Sequence, residues 1–252
     1  ISAGTAPAYP AVDLASEPLY ASATADKPTI ALALSVEFPT VGAQYVQTAG
    51  SNDDSAYSTD TEYLGYYDAE ACYTYNNSPT ETPPSGQSLP DLKRFDRSNS
   101  ATNRKCNGEK FSGNFLNWAS SSAVDMLRLA LSGGDRYIDT PTLTILQRAV
   151  LPDSSVSTNF WNNTNFPSKN LTRAGKSGAN DFWGAIPDSM RATAGNNNIS
   201  IANDKNKIYF RAGTKQGTTN ASANNYTLGS SGTIKLNTDG FFYARVQVCN
   251  TD

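Results

Sequence analysis

Residue types that carry most enzymatic and metal chemistry are scarce in this chain of 252 residues, which has no histidine and three cysteines. The missing histidine excludes mechanisms with a histidine base, histidine-activated nucleophiles and metal sites with histidine ligands. The cysteines, Cys72, Cys106 and Cys249, form no CxxC pair and are too few for a structural zinc site. No other catalytic set stands out, so the sequence predicts a protein without enzymatic activity.

Two other patterns come close to a binding motif. Residues 173–177 end like a phosphate-binding loop, but Asn170 occupies the position of its first glycine. The acidic side chains at residues 52–54, and at Asp135 and Asp139, lack the spacing of a calcium loop. We therefore predict no cofactor, with calcium or magnesium left as the alternative.

Aromatic side chains lie among asparagines in residues 159–166. Flat rings beside amides can stack on a sugar or a partner protein while the amides hydrogen bond. Trp161 and Trp183 are therefore candidate surface-contact residues. The alternative is that these rings anchor loops in the core.

The odd number of cysteines matters if the protein folds in an oxidising compartment. Cys72 and Cys106 both lie in polar, turn-rich sequence, and we predict a disulfide between them. Cys249, close to the end of the chain, either has its partner outside this sequence or is a buried free thiol.

Charge and composition exclude several classes of partner. Twenty basic and twenty-three acidic side chains give a net charge of −3, without a cluster of Lys and Arg, so neither nucleic acid nor an anionic membrane surface is expected. No apolar run approaches the roughly 18 residues of a membrane-spanning helix. Charged residues make up 17% of the chain, against roughly 25% in typical soluble domains. This composition, and a first residue that is not methionine, indicate a secreted protein whose signal peptide has been removed.

The first part of the chain predicts strands and loops. Residues 1–27 form an extended lead-in, and the apolar run at residues 29–34 is typical of a strand buried on both faces of an α/β sheet. Residues 42–110 predict a Tyr/Pro-rich, disulfide-pinned insertion with little helix. One or two short aromatic strands are expected within it, over residues 63–67 and 72–75.

Helical patterns follow this insertion. Residues 112–131 carry apolar side chains on two faces and predict one mostly buried helix, which Gly133-Gly134 ends. A threonine followed by a proline looks like a helix start, so residues 140–150 predict a second helix. Residues 187–194 predict a short third one.

The end of the chain has strand character. Residues 153–206 are expected to be a loop-rich insertion, followed by strands at residues 207–211, 232–236 and 241–249. Asp239-Gly240 is a hairpin signal. The lead-in apart, residues 28–252 are predicted to form a single elaborated domain of the α/β (α+β mixed) class.

Several segments together resemble one family. The string FSGNFLNWA at residues 111–119, followed by GGDR at residues 133–136, resembles the signature of the PilC/PilY family of type IV pilus tip adhesins and biogenesis factors. CYTYN at residues 72–76 resembles the cysteine–tyrosine block that precedes this signature in the family. TILQRA at residues 144–149 and RVQVC at residues 245–249 are similar to later family segments.

The resemblance implies an N-terminal region related to von Willebrand factor A domains, normally followed by a C-terminal β-propeller. The expected fold is therefore a von Willebrand factor A-like sheet with few helices, and the chain is expected to be a fragment that lacks the propeller and the partner of Cys249. Metal-binding A domains carry a D-x-S-x-S motif after their first strand. Here Ser35, Glu37 and Pro39 occupy those positions and Thr40 follows, so the metal site is degenerate.

The function that the resemblance implies is a non-enzymatic extracellular adhesion or assembly module at the tip of a type IV pilus. Minor pilins are its expected partners on one side, and a host, abiotic or neighbouring-cell surface on the other. The alternative from the residues alone is a secreted carbohydrate-binding or carbohydrate-active protein that uses its Trp and Asn loops. A structural filament subunit is a third possibility.

Overall fold

The computed structural model describes residues 41–46, 57–82, 91–151, 166–167, 169–173, 175, 177–194, 199–212 and 241–249. All of them belong to one unit, which spans residues 36–252. Outside the described residues lie the strands expected at residues 29–34 and 232–236, the stretch with Ser35, Glu37 and Thr40, the turn at Asp239-Gly240, and Trp161.

Ten strands and three α-helices are found in the described part of the chain. In chain order they are β1 (Ala71–Asn76), β2 (Arg94–Ser100), β3 (Phe111–Ser112), α1 (Gly113–Ser120), α2 (Ala123–Ser132), β4 (Arg136–Thr140), β5 (Leu143–Gln147), β6 (Lys169–Leu171), α3 (Asp188–Ala194), β7 (Ile199–Asp204), β8 (Lys207–Ala212), β9 (Phe242–Tyr243) and β10 (Arg245–Val248). Two short 3₁₀ helices, Gly178–Asn180 and Phe182–Ala185, precede α3.

The strands form two sheets. The larger sheet has the order β3-β1-β2-β10-β5-β4, and the smaller one has the order β6-β7-β8-β9. Among the described strands, β2 and β10 pair in parallel and all other pairs are antiparallel. The segment expected to be an insertion, residues 42–110, thus contributes β1 and β2 to the larger sheet. A mixed α/β class with few helices is confirmed, whereas a von Willebrand factor A-like sheet is not.

One chain segment takes part in both sheets. A single residue, Ala244, separates β9 from β10. Its N–H donates to the carbonyl of Asn206 at 2.8 Å, and its carbonyl accepts from the N–H of Arg148 at 2.9 Å. The strand predicted at residues 241–249 is therefore present, but it passes from the smaller sheet to the larger one.

The hydrophobic core extends across both sheets and α1. The Phe242 ring lies 5.7 Å from the ring of Phe95 in the larger sheet and 5.6 Å from that of Phe210 in the smaller sheet. Phe111 and Phe115, in the signature string, also pack on Phe210, at 5.3 and 6.3 Å. All five side chains are fully buried, so aromatic packing holds the two sheets together.

The single helix expected over residues 112–131 is wrong, because the chain breaks at Ser121 and Ser122 into α1 and α2. The Ser122 hydroxyl accepts from the N–H of Asp125 at 3.3 Å, and the Asp125 carboxylate accepts from the N–H of Ser122 at 3.4 Å. This reciprocal capping box starts a new helix within a continuous apolar pattern. α2 ends at Gly133, whose φ of 77° suits glycine. α1 is wholly buried as predicted, but Asp125 is the one fully buried residue of α2.

The helix expected over residues 140–150 is also wrong. This stretch forms the second half of the hairpin β4–β5, with Pro141 and Thr142 in the turn. The Thr140 hydroxyl accepts from the N–H of Leu143 at 3.0 Å and closes the turn. A proline favours the second position of a β-turn as well as the first turn of a helix, and β5 finds its other neighbour in the distant β10.

The remaining predicted elements mostly agree with the structure. The short helix at residues 187–194 is confirmed as α3, and the strands at residues 72–75 and 207–211 are confirmed as β1 and β8. Residues 63–67 contain bends and no strand, so the structure has one of the one or two aromatic strands expected there.

The structure joins Cys72 to Cys106, the pair favoured by the sequence, with their Cα atoms 5.8 Å apart. The bridge ties β1 to the segment that leads into β3 and α1. Cys249 is exposed, so it is not a buried thiol.

Replacement of both Cys72 and Cys106 with serine is expected to lower the free energy of unfolding by about 4 kcal/mol, because the bridge closes a loop of 34 positions. Urea denaturation followed by circular dichroism measures this loss. Cys249→Ser is the matched control and should leave the unfolding midpoint unchanged. Equal stability of the double variant and the control would contradict this account.

Candidate functional site

Two asparagines in the signature string hold an irregular segment against α1. The Asn114 side chain accepts from the N–H of Tyr63 at 2.8 Å and donates to the carbonyl of Thr61 at 2.9 Å. The Asn117 side chain accepts from the N–H of Tyr67 at 3.1 Å and donates to the carbonyls of Tyr63 and Tyr67, both at 2.8 Å. We call Asn114 and Asn117 the asparagine clamp. Because both are fully buried, they supply partners that water cannot provide to this backbone.

Two glycines make the close approach possible. A Cβ atom at Gly65 would lie 2.0 Å from the Asn117 Oδ1 atom, and one at Gly113 would lie 2.0 Å from the carbonyl oxygen of Asp68. Any side chain at either position would push the segment away from α1. The signature string therefore specifies a scaffold: its asparagines bind a backbone, and its glycine makes room for one.

A buried acid and a buried base lie where α2 meets the two sheets. The Asp125 carboxylate accepts from the Ser122 hydroxyl at 2.5 Å and from the N–H of Ala149 at 2.9 Å. The Arg148 guanidinium donates to the Asn203 side chain and to the carbonyl of Lys205, both in the β7–β8 hairpin. Asp125 and Arg148 are 1% and 3% exposed, so they connect α2, the end of β5 and the smaller sheet inside the protein.

Burial shifts the pKa of both charged groups. It raises the pKa of Asp125 above its usual value, against the opposing effects of its hydrogen bonds and of the Arg148 charge. It lowers the pKa of Arg148 to about 10, against the attraction of the Asp125 carboxylate. Perturbed pKa values often mark catalytic sites, but structural networks produce them as well. Here the hydrogen-bond partners are backbone groups, a capping serine and the Asn203 amide, which are features of a structural network.

Other buried cations in the described part of the chain also bind protein groups. Lys169 donates to the carbonyl of Trp118 at 2.7 Å, and its ammonium lies 4.1 Å from the centre of the Trp118 ring. The Arg245 guanidinium lies between the rings of Tyr137 and Tyr243, 3.9 and 4.0 Å from their centres. These cations stabilise contacts between elements and present no charge to a ligand.

The predicted contact residue Trp183 is partly buried. Its ring is covered on one side by the Arg173 guanidinium, 4.5 Å from the ring centre, and it meets Phe182 edge-on at 5.2 Å. Asp125 and Arg128, three positions apart on α2, form no ion pair with each other in the described structure. Arg128 instead pairs with Asp135 at 2.8 Å.

Large apolar side chains are exposed on α2 and in chain segments that contact α2 or the serines before it. Leu127 and Leu131 lie one turn apart on it and are 39% and 52% exposed. Three other large apolar residues are exposed in the described chain. Each lies one or two positions along the chain from a residue that contacts α2 or Ser121. Val46 lies two positions after Gln44, whose N–H donates to the Ser121 carbonyl. Leu64 precedes Gly65, which packs on Ser121. Val150 follows Ala149, whose N–H donates to the Asp125 carboxylate. We call these five residues the α2 surface.

Within the described ranges, acidic and cysteine side chains do not converge in a group that could hold a metal ion. The same ranges contain no helix long and apolar enough to cross a membrane.

Comparison with known proteins agrees with this geometry. Residues 54–222, more than half of the chain, match the family model described as "PilY1 homolog, small alpha/beta domain". The chain belongs to this family. The match includes the asparagine clamp and most of both sheets, and the PilC/PilY resemblance of the signature string is confirmed. No solved structure matches the chain.

Two curated relatives of this PilY1-type domain come from Xylella fastidiosa (strain Temecula1 / ATCC 700964), and both are named type IV pilus biogenesis factor PilY1 homolog. One is 35% identical over 156 residues, which cover 59% of this chain and 11% of the relative. The other is 34% identical over 95 residues, which cover 38% of this chain and 6% of the relative. The chain thus spans about a tenth of the length of these relatives or less.

The PilY1-type signature residues therefore stabilise the fold. Several residues that take part in these contacts were not identified from the sequence alone. Asn114 and Asn117, three positions apart on an apolar helix, are polar side chains on buried positions, a signal that was available in the sequence. Arg148 and Lys169 gave no such signal, because their partners lie in distant strands.

Asn117→Ala should lower the free energy of unfolding by about 3 kcal/mol, because it leaves one N–H and two carbonyls without a partner inside the protein. Asn114→Ala, which removes two such bonds, should cost about 2 kcal/mol. Urea unfolding curves of the purified chain give both values. Exposed Asn107 provides the control, and an Asn107→Ala variant as unstable as Asn117→Ala would refute the clamp.

The raised pKa of Asp125 predicts a pH dependence of stability. A carboxyl whose pKa is higher in the folded than in the unfolded state contributes fully below the unfolded value, and this contribution is lost as the pH rises through the folded value. The difference in unfolding free energy between the wild type and Asp125→Asn should therefore favour the wild type more at pH 4 than at pH 7. Urea titrations of both proteins across this range measure it. A difference that stays constant or grows with pH would disprove the shift.

Proposed function

We propose that this chain is a non-enzymatic extracellular module of a type IV pilus, located at the pilus tip, where it contacts minor pilins and an external surface. The observation that carries the proposal is its membership of the PilY1 homolog domain family, together with two relatives named as type IV pilus biogenesis factors. The pilus-related role follows from that membership. The tip position and the partners are what we add.

The roles of the signature asparagines and of the buried Asp125 support a scaffold without catalysis. Asn114, Asn117 and Asp125 use their polar atoms on backbone groups and helix caps. A rigid module of this kind transmits contacts between partners and needs no proton shuttle, which agrees with a chain that lacks histidine.

The disulfide supports an extracellular location. Bridges such as Cys72–Cys106 form and persist in oxidising compartments, including the bacterial periplasm and the cell surface. A surface that owes its polarity mainly to neutral Ser, Thr and Asn side chains is in keeping with the same location.

The α2 surface is the proposed contact for minor pilins. Single exposed apolar residues are ordinary, but a group of them around one helix is typical of a protein–protein interface. The charged groups beside it, Arg128 with Asp135 and Arg136 with Asp139, already pair with each other. A partner that meets this surface therefore gains by burying apolar area more than by matching charge.

The double variant Leu127→Asp/Leu131→Asp should weaken binding to minor pilins at least tenfold, equivalent to about 1.4 kcal/mol. The measurement is a pull-down of purified minor pilins on the immobilised chain, quantified by titration. Thr142→Asp, which adds a charge at the exposed β4–β5 turn, is the matched control and should bind like the wild type. Circular dichroism of all three proteins establishes that their folding is equal.

The pilus role is tested in cells. A deletion strain should lose twitching motility and surface attachment, and re-expression of the wild-type gene should restore both. Normal piliation and attachment in the absence of the gene would overturn the proposed function. Failure of the α2 variants alone to affect binding would move the contact to another surface.

A further inference from the structure

Tyr67 carries a buried hydroxyl group for which the described chain offers no hydrogen-bond partner. The side chain is 7% exposed, and its ring packs edge-on against Tyr73 and Phe95 at 5.3 and 5.6 Å. Asn117 of the asparagine clamp binds both the N–H and the carbonyl of Tyr67. The hydroxyl therefore cannot turn to solvent, and a buried hydroxyl without a partner is costly.

Tyr67 is one of the eight residues that line a small cavity. Its volume of about 10 Å³ is close to the least that holds one water molecule. Apolar atoms of Ala244 and Val246 form part of its wall. The polar side of the wall comes from Tyr66, Tyr67, Ser120, Ser121, Asp125 and Arg148.

The charged groups at the cavity have unused hydrogen-bonding capacity. Four of the five N–H groups of Arg148 donate to described atoms: Nε to the Ala149 carbonyl, one from Nη1 to Asn203, and two from Nη2 to the carbonyls of Lys205 and Lys207. One N–H on Nη1 remains. The Asp125 carboxylate accepts the bonds described above and has further lone pairs.

We propose that this cavity binds one ordered water molecule that bridges Tyr67, Asp125 and Arg148. The water accepts from Arg148 Nη1, donates to the Asp125 carboxylate, and exchanges a hydrogen bond with the Tyr67 hydroxyl. Three polar partners are the usual number for an internal water. The site gives the Tyr67 hydroxyl a partner and places a bridge between two charges that attract each other without a direct bond.

Size and charge exclude other occupants. Calcium needs six to eight oxygen ligands, and the Arg148 guanidinium repels any cation in the cavity. An anion meets the same objection from the Asp125 carboxylate. An organic ligand is larger than the space available.

The water would complete the junction between the two sheets. Asp125 belongs to α2, Arg148 follows β5 and binds the β7–β8 hairpin, and Tyr67 lies in the segment held by the asparagine clamp. A water bonded to all three connects the signature helices to both sheets at one point.

A crystal structure of the 252-residue chain at about 1.5 Å resolution tests the site directly. We expect a spherical density peak within 2.6–3.2 Å of the Tyr67 Oη atom and of an oxygen of Asp125. An empty cavity, or a Tyr67 hydroxyl bonded to a protein atom, would overturn the proposal.

Thermal unfolding of Tyr67→Phe provides a second test. If water is bonded to the hydroxyl, the variant loses that bond and its Tm should fall by about 2–4 °C. Tyr73→Phe is the matched comparison, because the Tyr73 hydroxyl accepts from the N–H of Asp68 at 2.8 Å and a bond is known to be lost. A Tm of Tyr67→Phe equal to or above that of the wild type would show that the hydroxyl has no partner, and the water site would be wrong.

Discussion

The need to satisfy backbone groups inside the protein shapes the region around α1. The segment that carries Tyr63 and Tyr67 brings its side chains into the core and therefore brings its N–H and carbonyl groups as well. Among the described residues it pairs with no strand at that point, and two amide side chains on a helix supply its hydrogen-bond partners instead. An amide is suited to this because it both donates and accepts, as a peptide group does. This arrangement requires glycines where the backbone approaches α1 closely. The apolar side chains of α1 fill the core beside it.

The buried charges of this domain also hold separate elements together. Asp125, Arg148, Lys169 and Arg245 are buried charges that in an enzyme would suggest an active site, yet each one connects elements distant in sequence. Removing one partner from such a network leaves the other charge buried and uncompensated, which is more damaging than the net contribution of the pair suggests. Networks of this kind fix the relative positions of the elements that they join.

The sequence revealed local features well and long-range ones poorly. Gly133 marked the end of α2, and the alternating residues near Val246 marked a strand, because both signals depend on neighbouring residues. The helix predicted after Thr140 failed because a capping threonine and a proline also suit a hairpin turn, and only pairing with β10, about a hundred residues away, decides between them. The break at Ser122 was readable as a capping box, but the continuous apolar pattern concealed it. The roles of Asn117 and Arg148 depend on partners that no local pattern identifies.

The segment from Phe242 through Ala244 to Val248 contributes a strand to each of the two sheets, so the stability of one sheet depends on the other. β9 is an edge strand of the smaller sheet and β10 lies inside the larger one, so separating β9 from β8 also disturbs the middle of the larger sheet. The domain should accordingly melt as one cooperative unit. In the pilus role proposed above, this shared segment would pass a load applied to one sheet on to the other.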